Sequence, residues 1–422
     1  MLKIIFRNFT IQPERPPLPR VSFFKTLTFY IMKNLKLIFL LLTLLANSKG
    51  FSQSKPEKVP RYTQEIHDEK WYNTQAELWE SEVKKDPKNE DSWLNLYTAY
   101  RSLWVVNKYS EATNKKVAEV VDRMEKAIPE TFTFNLTKGW LLGCWDPASM
   151  KYIQKAYQLQ PENPATYHEL SVRYEVDLNY EKRKEFHIKM FEKSDISQGL
   201  LNYNYNVLAS LEKDAILLTV GDNDTYPAWM IQDALGFRTD VTIINTSLVG
   251  LNEYRVKLFN KAGIVQNTAK SNALQVIEPF TAESKKAWEK RLIETIVENS
   301  GGKPVYLALT MGNSESYTGI KDKLYITGLG MKYSEEKMDN ISFIRKNYEK
   351  KFLLDYIKAS FETDKSQNIV TLCNQNYIAP FTLLYKHYRT TEEAEKAEEL
   401  KQLILKLAAD GNREKEVSEM LK

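Results

Sequence analysis

The chain has 422 residues, two cysteines, 43% apolar and 27% charged residues, and a formal net charge of +4. That apolar share excludes a disordered chain, and two cysteines over this length exclude a disulfide scaffold. A length prior of roughly 100–200 residues per domain gives two or three domains.

The charge is concentrated at the start. Of the 59 Lys and Arg and 55 Asp and Glu, residues 1–53 hold eight of the former and only Glu14 of the latter. The remainder is 51 against 54, a net of −3, which leaves no electrostatic footprint for nucleic acid. The leader reads as an export signal over 32–52. Met32 to Lys36 is a basic n-region, Leu37 to Ala46 an apolar run broken by Thr43, and Gly50-Phe51-Ser52 a small-residue site for cleavage before Gln53. Ten helical residues reach about 15 Å, half of a ~30 Å hydrocarbon core, so a signal is expected rather than a permanent span. Residues 1–31 precede a complete signal and read as an over-extended start. No later stretch reaches 18 apolar residues, so no membrane span is expected in the mature chain. Export places Cys144 and Cys373 where they can pair. They lie 229 residues apart in different segments, and two separately buried thiols are expected.

Residues 72–212 show apolar residues at helical spacing. Trp93, Tyr97, Tyr100 and Trp104 share one helix face, and Tyr167, Leu170 and Tyr174 repeat the stripe. Asp86-Pro87-Lys88-Asn89 precedes the first stripe and Gln160-Pro161-Glu162-Asn163 the second. Pro129 lies 42 residues after Pro87 and 32 before Pro161, which brackets the 34-residue period of tetratricopeptide-type helix pairs. Ala156 to Asn163 resembles the end of such a repeat. A helix pair with one apolar face must bury it on the next pair, so stacked hairpins are expected.

The pattern changes at residue 213. Ala215 to Val220 reads as a strand buried on both faces, and Gly221-Asp222-Asn223-Asp224-Thr225 as a polar turn. A helix is expected over Pro227 to Leu235, capped by Asp224 or Thr225 and ended by Gly236. Val241 to Ile244 is the next strand, which makes a compact βαβ unit. Helices follow over Glu253–Ala262 and Lys285–Glu298, then a strand over Pro304–Thr310 and an edge strand at Leu324–Ile326. The class is thus α/β plus all-α. Tetratricopeptide-like hairpins lead into a small doubly wound, Rossmann-like parallel sheet domain over 213–335, then helices over 336–422.

Ligands of open parallel sheets bind at the carboxyl ends of the strands. Three loops are expected to meet there: Asp222, Asn223, Asp224 and Thr225 after the first strand, Asn245 and Ser247 after the second, and Asn313 after the third. Such groups can hold a polyhydroxylated, glycan-like ligand or, through Asp222 and Asp224, a hydrated Mg²⁺ or Ca²⁺. The same loop can serve only to turn the chain and cap the next helix.

The run Gly221-Asp222-Asn223-Asp224-Thr225-Tyr226-Pro227, with Trp229, Arg238-Thr239-Asp240-Val241 and Ile244-Asn245-Thr246-Ser247-Leu248, carries a resemblance. So do Pro304-Val305-Tyr306-Leu307-Ala308 and Gly328 to Tyr333. Together they resemble the soluble C-terminal domain of the bacterial protein O-mannosyltransferase-like membrane glycosyltransferases. That family carries many membrane spans, and its transfer chemistry belongs to acidic residues in the membrane part. No catalytic residue is therefore carried over; only Asp222–Asp224 has a counterpart.

No G-x-S-x-G, Walker loop or CxxC occurs, and His67, His168, His187 and His387 lack metal-ligand spacing. The expected function is a non-catalytic, exported periplasmic scaffold whose helical repeats bind an envelope protein. The α/β domain would stabilise the assembly or hold a glycan-like ligand. The alternative is a carbohydrate-active enzyme, for glycosyl transfer or hydrolysis, using Asp222 and Asp224 with a divalent metal or as acid and base.

Overall fold

In the computed structural model, residues 55–143, 146–266, 274, 282–312, 315–359 and 363–422 are described. Residues 32–52, expected as an export signal, and Cys144 and Asn313 lie outside them. Glu57 to Lys422 form one compact unit. Among the described residues no helix is long and apolar enough to cross a membrane.

Among the described residues eight α-helices come first: α1 (Glu69–Lys85), α2 (Glu90–Val106), α3 (Glu111–Ala127), α4 (Phe132–Leu142), α5 (Ser149–Leu159), α6 (Tyr167–Val176), α7 (Tyr180–Glu192) and α8 (Gln198–Ser210). From α2 onward they pack as successive hairpins, α2/α3, α4/α5 and α6/α7. The two proline-bearing turns do the same work twice. Asn89 caps α2 through Ser92 N, and Asn163 caps the short turn into α6 through Ala165 N. Six residues after each proline an aromatic donates back to its carbonyl: Trp93 Nε1 to Pro87 O (2.9 Å) and Tyr167 OH to Pro161 O (2.8 Å). This shared lock is the physical content of the repeat. The aromatic stripe is core as expected, with Trp93 and Tyr97 buried and Tyr100 and Trp104 partly so.

The α/β part comprises β1 (Ile216–Thr219), α9 (Asp222–Leu235), β2 (Thr242–Asn245), α10 (Asn252–Ala262), α11 (Ala282–Glu298), β3 (Val305–Ala308), β4 (Leu324–Ile326) and β5 (Gly330–Tyr333). The strand order is β2-β1-β3-β5-β4. β2, β1 and β3 are parallel, with Leu218 opposite both Ile244 and Leu307. β3, β5 and β4 run antiparallel, so the sheet is mixed: a doubly wound parallel half and an added hairpin. β5 joins β3 to the edge strand β4. Gly328 lets its turn approach α8: a Cβ there would lie 2.8 Å from Ser210 Cβ and 2.9 Å from Asn347 Nδ2.

Helices α12 (Asn340–Lys350), α13 (Asp355–Lys358), α14 (Gln367–Asn374), α15 (Ile378–Thr390), α16 (Ala394–Asp410) and α17 (Glu414–Met420) complete the chain. The core falls into two clusters. One, from Val59 to Phe134, holds α1–α4 together; the other runs from α4 through the sheet to Leu421. Helix α8 is central to the second. Its Asn206 side chain bonds both the amide and the carbonyl of Leu353, each at 2.7–2.8 Å, which ties the C-terminal helices to the sheet domain.

Candidate functional site

The chain leaves β1 for β2 in one direction and β2 for β3 in the other. With right-handed crossovers this puts the connecting helices on opposite faces and the switch point between the carboxyl ends of β1 and β3. Asp224 lies there. Its Oδ1 accepts from Gly221 N (2.8 Å) and Thr225 Oγ1 (3.3 Å), its Oδ2 from Val220 N (3.1 Å) and Thr310 Oγ1 (2.6 Å). The bond to Gly221 N is the N-terminal cap of α9, made by the third helical residue. Asp224 is 4% exposed, and burial raises its carboxyl above the usual range despite the four donors.

The carboxyl ends of β1, β2 and β3 therefore meet around an internal network, whereas Asn313, expected from the third loop, lies outside the described residues. Asn245 donates to Thr225 Oγ1 (3.0 Å) and accepts from Ser247 N (2.9 Å) and Leu248 N (3.0 Å). Thr225 Oγ1 is 2.7 Å from Thr219 Oγ1. Thr310, absent from the sequence expectation, contributes from the β3 end.

The expected loop Gly221–Thr225 is itself helical from Asp222 onward. Helix α9 thus starts five residues before Pro227. This separates the acidic pair: two residues apart on a helix means about 200° around its axis. Asp224 turns inward, whereas Asp222 is exposed and Asn223 partly buried; Ser247 is exposed too. Among the described residues no group of three or more His, Cys, Asp and Glu is placed to hold a metal ion.

On the outer side of the α9 start lies a cleft of about 50 Å³. Asp222, Asn223, Tyr226 and Pro227 form one wall, His168 of α6 another, and Arg61, Thr63 and Gln64 a third. The His168 ring meets Tyr226 edge-on at 4.2 Å, and its Nδ1 lies 3.3 Å from Glu169 Oε1. Burial pushes the Glu169 carboxyl up, but the His168 hydrogen bond and the charges of Arg61 and Arg101 hold it below its usual value. None of these partners carried a sequence signal; each is a single polar residue in an unrelated segment.

Arg238 and Asp240 of the same motif have a structural task. The Arg238 guanidinium donates to Leu208 O, Leu211 O and Glu212 O at the end of α8 and forks onto Asp240. It satisfies carbonyls that a helix end leaves open. Cys373 is a free, buried thiol, pushed up to about 12 by burial and by the charge of Asp224.

The profile of a family described as TMEM260-associated domain 2 matches residues 200–263. That stretch runs from α8 to α10 and contains the Gly221–Pro227 run, Arg238–Asp240 and Asn245. No curated protein matches the chain.

Proposed function

We propose that this protein is an exported, non-catalytic binding scaffold of the cell envelope. Its helical hairpins hold a protein partner. Its α/β domain, related to the soluble domain of membrane glycosyltransferases, braces the hairpins and offers the cleft at the α9 start to a small polar, glycan-like ligand. The observation that supports this reading is the state of Asp224. Its two oxygens are taken up by four donors of its own chain, and Asp222 points elsewhere. A carboxylate pair that is to work as acid and base, or to clamp a metal, must converge on one point.

The test sets the purified mature chain beside a polyprenyl-phosphate-linked sugar with a peptide acceptor, and separately beside a solubilised envelope extract. The expected outcome is no turnover, and retention of an envelope protein. Turnover that Asp222→Asn or Asp224→Asn abolishes would overturn the scaffold and establish the enzyme.

A further inference from the structure

Residues 57–66, just before α1, contain no helix or strand. They cross the first helices of three consecutive hairpins. Glu57 N donates to Gln75 Oε1 of α1 (2.8 Å), and Trp79 Nε1 of α1 donates to Glu57 O (2.8 Å). Val59 N donates to Asn95 Oδ1 in the middle of α2 (2.7 Å). The Arg61 guanidinium lies 5.0 Å from the Trp140 ring of α4 and 3.8 Å from Glu169 of α6. Farther on, Asn368 Nδ2 of α14 donates to Ile66 O (2.7 Å).

These contacts have a recognisable character. The helices read this strap through its main chain at alternate residues, Glu57 and Val59, as a strand is read. Gln75 is fully buried and Asn95 is 8% exposed. Buried amide side chains inside helices are costly unless bonded, and each of these accepts from a strap amide. Over the stretch that crosses α2, α4 and α6, two strap side chains are gripped: Val59, the one buried residue of residues 57–66, and Arg61, held by an indole face and a carboxylate. The buried Trp140 Nε1 on this face has no acceptor among the described residues.

The geometry points to a peptide-binding groove along α2, α4 and α6, with residues 57–66 as its resident and displaceable occupant. The incoming partner is an extended polypeptide segment with an aliphatic residue two positions before a basic one, the spacing of Val59 and Arg61. This inference rests on the scaffold reading and names the partner class of its hairpins. Displacement leaves the helices in place, because the strap precedes α1 and adds only Val59 and the partly buried Ile66 to the apolar core. The tethered strap competes at an effective concentration of the order of millimolar, so the full chain binds a free peptide weakly until the strap is loosened.

The probe is a fluorescein-labelled peptide with the sequence of residues 55–67, followed by anisotropy. The proteins are the parent chain, Val59→Asp and Arg61→Ala, each with its circular dichroism checked. Loosened variants are expected to bind the probe about tenfold or more tighter than the parent. Adding Asn95→Ala or Glu169→Arg to them abolishes binding, and so does an Asp at the Val59 position of the peptide. Hydrogen exchange on the parent supplies a second readout, with the Val59 amide exchanging faster than the core of α2. Folded variants that ignore the probe overturn the groove, as does a Val59 amide as protected as the helix core. Strap exchange between two copies, seen as a dimer that the probe does not dissociate, overturns it as well. If an envelope partner is retained unchanged by Asn95→Ala protein, the groove falls and the scaffold stands. Sugar transfer removes the scaffold without touching probe binding.

Discussion

Asn204 stands in for a backbone amide that Pro227 lacks. Pro227 is the sixth residue of α9, so the carbonyl four residues back, that of Asn223, has no intrahelical donor. The Asn204 side chain, from the neighbouring α8, donates to that carbonyl at 2.8 Å and also to Leu200 O of its own helix at 2.9 Å. This bond explains how a proline sits inside α9, and why the acidic run before it is helix rather than loop.

Asn204→Ala is therefore expected to destabilise the protein by about 1–3 kcal/mol, the cost of a buried carbonyl left unpaired. Pro227→Ala restores an amide at the right place, so the double variant should recover part of that loss. Urea unfolding of the parent, both single variants and the pair measures the coupling. Strict additivity would show that the side chain and the proline do not act on one carbonyl.

This pairing also marks where the sequence stopped being legible. Pro at the start of a helix is the common case, and read that way Pro227 placed Asp222–Asp224 in a turn. Only the remote Asn204 reveals the other solution. The signal was there in part: Asn202, Asn204 and Asn206 alternate with tyrosines in a helix, and asparagine disfavours helix interiors unless its side chain is engaged. The hairpins were legible because Asn89 and Asn163 cap, and Pro87 and Pro161 stop, by local chemistry alone. Strand β1 was legible because four consecutive buried residues leave no polar face. Gly330–Tyr333 has four residues, and its alternation of Met331, Lys332 and Tyr333 is too short to mark a strand by itself, so its pairing with β3 depends on tertiary context. Thr310 and His168 reach the site from distant segments and leave no trace in local pattern.

The junction of hairpins and sheet domain is held by Arg183. Its guanidinium forks onto Asp233 of α9, at 2.8 and 2.9 Å, and donates to Glu175 of α6, which also accepts from Tyr254 OH at 2.6 Å. Arg183→Met leaves two carboxylates without a buried counter-charge and should cost about 3–5 kcal/mol in urea unfolding. A cost below about 1 kcal/mol would mean that water already screens the pair.

His187 gives that junction a pH dependence. It is fully buried, with Nδ1 2.6 Å from Asp233 Oδ2; burial, and after it the Arg183 charge, lowers its pKa from 6.5 despite the opposing pull of Asp233 and Glu175. The unfolded chain takes up this proton first, so stability falls as pH drops below about 6.5. In unfolding curves from pH 7.5 to 5, His187→Gln should lack this component of the slope. A slope unchanged by the substitution would assign it to other groups.

Asp240 acts in the same direction as His187, in a more acidic window. The Arg238 fork lowers its carboxyl from 3.8 to about 2. Its contribution is fully present above the unfolded value, near pH 4, and is lost as pH falls toward 2. The pair is partly exposed, so the stability gap between the parent and Asp240→Asn should be about 1 kcal/mol at pH 6. That gap should close between pH 4 and 2, and a constant gap over this range would rule out the ion pair as its source.

A last prediction concerns the acidic pair itself. Asp224 has no lone pair left for a cation without giving up Thr310 or the α9 cap, and Asp222 alone is a single exposed carboxylate. Calcium and magnesium sites need several oxygens converging at 2.0–2.6 Å, roughly six or more with waters counted. Millimolar Mg²⁺ or Ca²⁺ is accordingly expected to leave the melting temperature unchanged. A rise that Asp222→Asn abolishes would mean that α9 unwinds its first turn to bind metal, and the pair would then be a ligand set after all. Asp224→Asn separates cap from ligand in the same experiment. It should lower the melting temperature without any metal, because an amide nitrogen would face the Val220 and Thr310 donors or the Gly221 and Thr225 donors.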